Sequence, residues 1–346
     1  MAGGGRRLLP APRFDPLEFL PKETYSRITE IRVGSPALLE QMAQGRKQRK
    51  GLTGRAKLTL LAADHPARMV TAIRDDPLRM GRRRELLARI LRVMACSPFD
   101  GLLGTADVFD DLFAIESLGG KSGKFLDDRI MIGSVNRGGI AGTSFELDDR
   151  VTGYDVDGVL ASRLDGAKFL LRFDPRDENT LRTLGYCVEV VRECGEKRVP
   201  LFLEPLPVTR KGGDVKTERD REKLVKLVGV ASGLGNSTAR IWLKLPYCEG
   251  FEDVAAATTL PILLLGGEAS DDVSRLLIEI ESAMKAGPNV RGVLMGRNLL
   301  YPPGDDPLPL AMAVHSIVHD GLSAEDAQRT MSRWAGKNLR LFRSND

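Results

Sequence analysis

The chain has 346 residues, 42% hydrophobic and 28% charged, enough to bury a large core as one domain with extensions or as two. Its net charge is only +4, and the basic clusters at Arg46-Lys47, Arg49-Lys50 and Arg82-Arg83-Arg84 lack interleaved aromatics, so solvated helix ends explain them better than nucleic-acid contacts. Cys96, Cys187, Cys194 and Cys248 form no CxxC pair and no metal-ligand spacing, and fit reduced thiols in a cytoplasmic protein.

Residues 1–12 are rich in Gly, Arg and Pro and read as a flexible tail, with no signal peptide ahead and no membrane span downstream. Two helical patterns, 16–30 and 36–48, follow and form an expected N-terminal helical cap, so that residues 1–55 stand apart from the main domain, 56–346. From residue 56 short apolar runs alternate with longer amphipathic segments. Strands are expected at 57–63, 101–104, 129–135, 167–173, 200–203, 240–245, 261–265 and 292–295. Helices are expected at 83–96, 179–195, 217–234, 271–286, 308–319 and 324–342, where apolar positions recur every three and four residues. Eight strands each followed by helix predict an α/β fold, a closed (β/α)8 TIM barrel with an N-terminal helical extension. A doubly wound open sheet is the alternative, because the second and third strands are weak.

The strand ends are polar, and in a barrel the C-terminal ends carry the chemistry. The first strand runs into Asp64-His65, the third into Asn136-Arg137-Gly138-Gly139, and the fifth into Glu204-Pro205. The fourth carries Lys168, Arg172 and Asp174, the seventh ends in Gly266-Gly267-Glu268 and the eighth in Gly296-Arg297-Asn298. Alternation places Arg240, Trp242 and Lys244 on one face of the sixth strand, and Lys168, Arg172 and Asp174 on one face of the fourth. Burial disfavours an ammonium ion, so a lysine inside such a strand is a candidate amine nucleophile, although a strand-end lysine can also snorkel to solvent. Lys244 as a neutral amine would condense with a ketone, Lys168 would supply a neighbouring positive charge, and Glu204 would move protons. The glycine pairs, with Arg297, would let backbone amides approach an anion.

In order and combination, the segments Gly166-Ala-Lys-Phe-Leu-Leu-Arg-Phe-Asp174, Leu201-Phe-Leu-Glu204, Trp242-Leu-Lys244, Leu264-Leu-Gly-Gly267 and Gly292-Val-Leu-Met-Gly-Arg297 resemble those of class I, Schiff-base-forming aldolases. The resemblance is to the tagatose-bisphosphate, deoxyribose-phosphate and archaeal-type fructose-bisphosphate aldolases, and it spans roughly residues 57–300. It implies an imine-forming lysine at Lys244, with Lys168, Glu204 and Asp64 as the other catalytic residues. His65, Arg172, Gly266, Gly267, Gly296 and Arg297 would hold substrate or its phosphate. Two departures stand out. The chain has no tyrosine on the fifth strand, which favours Glu204 or His65 as proton shuttle, and it reads Leu-Gly-Gly where deoxyribose-phosphate aldolase has a second lysine.

The run 109–128, with its glycines and Lys121 and Lys124, reads as an insertion that forms a solvent loop or a mobile cover over the mouth, and it lacks P-loop spacing. Only His65 lies near a strand end, while His315 and His319 sit four apart on a late helix, too few imidazoles at the mouth for a metal-dependent aldolase. The expectation is thus a lyase without metal or cofactor. It would cleave a phosphorylated keto-sugar or keto-sugar acid such as 5-dehydro-2-deoxy-6-phosphogluconate, with no nucleic-acid or membrane partner. An imine-dependent transferase and a non-catalytic sugar-phosphate-binding regulator are the alternatives. Long terminal helices such as 324–342 suggest a homo-oligomer.

Overall fold

The computed structural model describes residues 13–52, 57–119, 124–137, 139–211 and 214–342. Its strands are β1 (Leu58–Ala62), β2 (Gly101–Gly104), β3 (Ile130–Ser134), β4 (Gly166–Phe173), β5 (Leu201–Lys211), β6 (Asp214–Thr217), β7 (Ile241–Leu245), β8 (Ile262–Leu264) and β9 (Val290–Met295). All but β6 form a parallel ring, β1-β2-β3-β4-β5-β7-β8-β9, with β9 returning to β1, so the sheet is a closed (β/α)8 barrel and not the open alternative. Alternation divides each strand. Leu58, Leu60, Ala62, Ile130, Ile132, Phe202, Leu263 and Leu294 fill the interior, and Leu61, Met131, Phe169, Leu203, Leu243 and Val293 pack outward against the helices.

The fifth barrel strand is longer than 200–203. It continues to Lys211 and folds back on β6 as an antiparallel hairpin. Pro205 and Pro207 hide this extension in the sequence. They are tolerated because β5 pairs with β7 only through Leu203, which leaves Pro205 and Pro207 with no β7 neighbour that needs their missing N–H.

The described residues of the run 109–128 do not form an insertion over the mouth. The segment Ala106–Ser117 is the helix that follows β2, with Phe109, Leu112, Phe113 and Ile115 buried in the core. Residues 124–128 lead into the N-terminal end of β3, where Lys47 N–H donates to Asp127 at 2.9 Å, so Lys124 belongs to the face opposite the mouth. Lys121 lies outside the described residues.

The N-terminal helices Pro16–Phe19, Lys22–Gly34 and Ala37–Gly45 pack on the barrel's helices. Arg32 bonds Asp111 at 2.7 Å, Arg84 Nε donates to Leu20 O at 2.7 Å, and Phe19 and Leu20 are fully buried. The last helix, Ala324–Met331, is shorter than 324–342, and residues 332–342 continue as turns, so the long helix taken to suggest pairing is absent. No described helix is long and apolar enough to cross a membrane.

The pairing of β9 with β1 brings two backbones into close approach. Gly292 pairs with Leu58 at φ +127, and a Cβ there would sit 1.9 Å from Leu58 O. Gly292→Ala should destabilise the fold by at least about 2–3 kcal/mol, read as a lower denaturant midpoint at unchanged m-value.

Candidate active site

Above the apolar interior the inward positions become ionisable. Ser134, Lys168, Glu204 and Lys244 continue the inward sets of β3, β4, β5 and β7, and Asp64 lies on the inward side just after β1. Glu204 joins the two lysines: Lys168 Nζ lies 2.6 Å from its Oε2 and Lys244 Nζ 2.8 Å from its Oε1. Asp64 Oδ2 accepts from Ser134 Oγ at 3.0 Å and faces Arg137 at 3.1 Å and Lys168 Nζ at 3.6 Å. Lys168 is 1% exposed and Lys244 5%, so neither snorkels to solvent.

Burial raises the cost of every charge here, and the partners decide which charges persist. Burial pushes the Glu204 carboxyl up, but Lys168 and Lys244 outweigh it and hold the group at about 2. Asp64 is likewise pushed up by burial and held well below the ordinary carboxylate range by Arg137 and Lys168. Burial pulls the Lys168 ammonium down, against the opposing pull of Glu204 and Asp64. His65 is pulled well below the usual imidazole range by burial, with Arg297 and Arg137 adding to the effect and Asp64 opposing it, so it is neutral at neutral pH.

His65 and the glycine segments meet. A Cβ on Gly296 would lie 2.3 Å from His65 Cε1 and 2.8 Å from Ala62 O, so the glycine gives the ring its place. Gly267 has φ +71 and borders the Arg219 guanidinium. Asn298 ties this rim together, donating to Gly266 O and accepting from Ser270 N at 2.6 Å. Arg297 lies 3.8 Å from the largely exposed Glu268, and its buried Nε has no hydrogen-bond partner among the described residues.

Arg172 shares the inward face of β4 but is not free for substrate. Its Nε and one terminal nitrogen bond both oxygens of Asp149 at 2.8 and 2.7 Å, NH1 bonds Glu146 at 3.0 Å, and the Gly139 and Glu146 carbonyls take the rest. It clamps the loop 139–149, whose Leu147 packs on inward Leu170 and Leu206 at the rim. Asp174, which alternation also directs inward, is occupied by the backbone and side chain of Arg176 at 3.1 and 3.3 Å.

Sequence reasoning assigned no role to Arg137, Ser134, Arg68, Glu146, Asp149 or Asn298. Arg137 and Asn298 stand beside strand-end residues that it did single out, whereas the loop carboxylates carry no local signal. His315 and His319 stack at 4.3 Å at the opposite end of the barrel, where His319 bonds Asp100 at 2.9 Å, remote from the mouth.

Several known proteins share this architecture. An archaeal fructose 1,6-bisphosphate aldolase aligns over 82% of this chain and 100% of its own at 20% identity and TM-score 0.55, evidence for the fold alone.

 The crystal structure of Cgl0159 from Corynebacterium glutamicum covers 87% of this chain and 98% of its own, at 36% identity and TM-score 0.81. A 2-amino-3,7-dideoxy-D-threo-hept-6-ulosonate synthase from Archaeoglobus fulgidus is 31% identical over 133 residues, 38% of this chain and 45% of its own length. A 2-amino-4,5-dihydroxy-6-oxo-7-(phosphonooxy)heptanoate synthase from Streptomyces griseus is 28% identical over 131 residues, again 45% of its length, so the matches span about half of each curated relative. Fold, inward lysine cluster and relatives together define a class I aldolase-type barrel superfamily. Within it, residues 56–318 match the Cgl0159-like family model, and the chain belongs to that family.

The Glu204 pairings predict a pH signature. A carboxyl held at about 2 in the fold, against an ordinary 4.5, contributes stability that is fully present above pH 4.5 and is lost as pH falls toward 2. Glu204→Gln should therefore cost about 3–5 kcal/mol at neutral pH, and its deficit in thermal midpoint should shrink steadily below pH 4.5.

Proposed function

We propose that the protein is a class I aldolase that cleaves a phosphorylated keto-sugar acid through an imine on Lys244. The observation that carries this reading is the contact of two buried lysines with one carboxylate at the C-terminal end of the barrel. Among the described residues, Lys168, Lys244 and Arg137 form salt bridges only with Asp64 and Glu204, so these five groups hold one positive charge more than the carboxylates balance. Loss of one proton from a lysine relieves that excess. Lys168 approaches both carboxylates and Lys244 only one, which leaves Lys244 the less tightly held of the two amines.

The neutral Lys244 amine attacks the substrate ketone, water leaves, and the resulting iminium draws electrons from the neighbouring carbon-carbon bond. Glu204, ionised and within reach of Lys244, takes the proton of the hydroxyl beside that bond as it breaks. An aldehyde departs, the enamine is protonated at carbon, and water hydrolyses the imine to release the ketone and restore the lysine. Lys168 and Asp64 hold Glu204 and the developing charges in place. Gly266, Gly267 and Gly296 with Arg297 would receive the phosphate on the ketone side.

The name of the Streptomyces relative describes a carbonyl beside a phosphorylated carbon in a chain that ends in a carboxylate. In 5-dehydro-2-deoxy-6-phosphogluconate the same groups are arranged in the same order, which supports it as a substrate. Cleavage should be insensitive to chelator, and Lys244→Met should lower kcat by at least about a thousandfold. Chelator-sensitive cleavage, or a Lys244→Met enzyme with near-normal kcat, would contradict this reading.

A further inference from the structure

Two further cations at the mouth, Arg137 and Arg68, pair with carboxylates other than Glu204 among the described residues. Arg137 is 7% exposed, and its buried Nε has no hydrogen-bond partner among the described residues. Arg68, on the turn Pro66–Arg68 after β1, reaches Gly139 O at 3.3 Å and Glu146 at 3.4 Å, both long for a charged donor. The carboxylates nearby are already engaged: Arg172 takes both oxygens of Asp149 and one of Glu146, and Gly142 N–H donates to the other at 2.9 Å. Burial, then Arg172 and Arg137, push the Arg68 guanidinium down to about 10, as expected where positive charge is in excess.

The ring order gives this cluster a place relative to the substrate. In β1-β2-β3-β4-β5-β7-β8-β9, β3 stands diametrically opposite β8, the strand that leads to Gly266 and Gly267. A chain whose phosphate sits at those glycines and whose carbonyl sits at Lys244 extends its far end toward Arg137, with Arg68 beside it. We infer that Arg137 and Arg68 form an anion subsite for the aldehyde-side fragment, so that the enzyme prefers a short aldehyde bearing a carboxylate or phosphate. The inference rests on the imine reading above. A planar guanidinium whose N–H groups are not all engaged suits either anion, and a neutral aldehyde would leave those N–H groups without an anionic partner.

The test runs the reaction in the direction of bond formation, with dihydroxyacetone phosphate as donor and three acceptors: succinate semialdehyde, glyceraldehyde 3-phosphate and butanal, the neutral match of the first. Wild-type enzyme should favour an anionic acceptor over butanal by about tenfold or more in kcat/KM, mostly through KM. Arg68→Met should reduce that ratio to near unity and Arg68→Lys should restore part of it. Arg137→Met is the more direct change, but it also strips a partner from buried Asp64, so Arg68 carries the test. Preference for succinate semialdehyde assigns the subsite to a carboxylate and preference for glyceraldehyde 3-phosphate to a phosphate, and either supports it. A wild-type enzyme indifferent to acceptor charge, or an Arg68→Met enzyme with its preference intact, overturns the subsite. Wild-type enzyme that forms no borohydride-reducible adduct with the donor overturns the imine reading and the subsite with it.

Discussion

A single carboxylate, Glu204, is shared by two lysines that the fold has removed from water, with contacts of 2.6 and 2.8 Å. Either ammonium alone at that depth would be costly, and removing their common partner leaves the cost unopposed. The barrel must therefore be built so that three neighbouring strands deliver these groups to one level. Strand register achieves this: Lys168 lies beside Phe202 and Leu170 beside Glu204, while Phe202 lies beside Trp242, two residues below Lys244. Alternation then keeps Phe202 and Trp242 beneath the charges as an apolar floor, their rings 6.0 Å apart.

That floor and the rim have opposite roles. Below, Leu58, Leu60, Ile132 and Leu294 exclude water from the barrel interior. Above, the loop 139–149 is locked down by Arg172 and covers one side of the mouth with Leu147. Across the ring, Asn298 fixes the glycine segment and Gly296 leaves room for His65. The site is thus supported from both sides by groups that do not themselves meet the reacting atoms, which limits the motion of those that do.

The inward lysines and Glu204 were legible because strand alternation is local: a residue's face follows from its neighbours two positions away. The same rule misled at Arg172, two inward positions further along β4. It faces inward as expected, but its partners Glu146 and Asp149 come from a loop whose path no local pattern encodes. The extension of β5 was hidden because Pro205 and Pro207 read as strand breakers, and only the missing β7 neighbour makes them acceptable. The segment 109–128 looked like an insertion because its helix is acidic on one side and runs into a glycine-rich stretch, yet its other side is buried core.

The central claim is that Lys244, and not its more deeply buried neighbour Lys168, is the amine that becomes covalent. Peptide mapping by mass spectrometry after borohydride reduction with dihydroxyacetone phosphate tests it most directly. The account predicts one reduced adduct, on the peptide that contains Lys244. An adduct on Lys168, or none on either lysine, would contradict it.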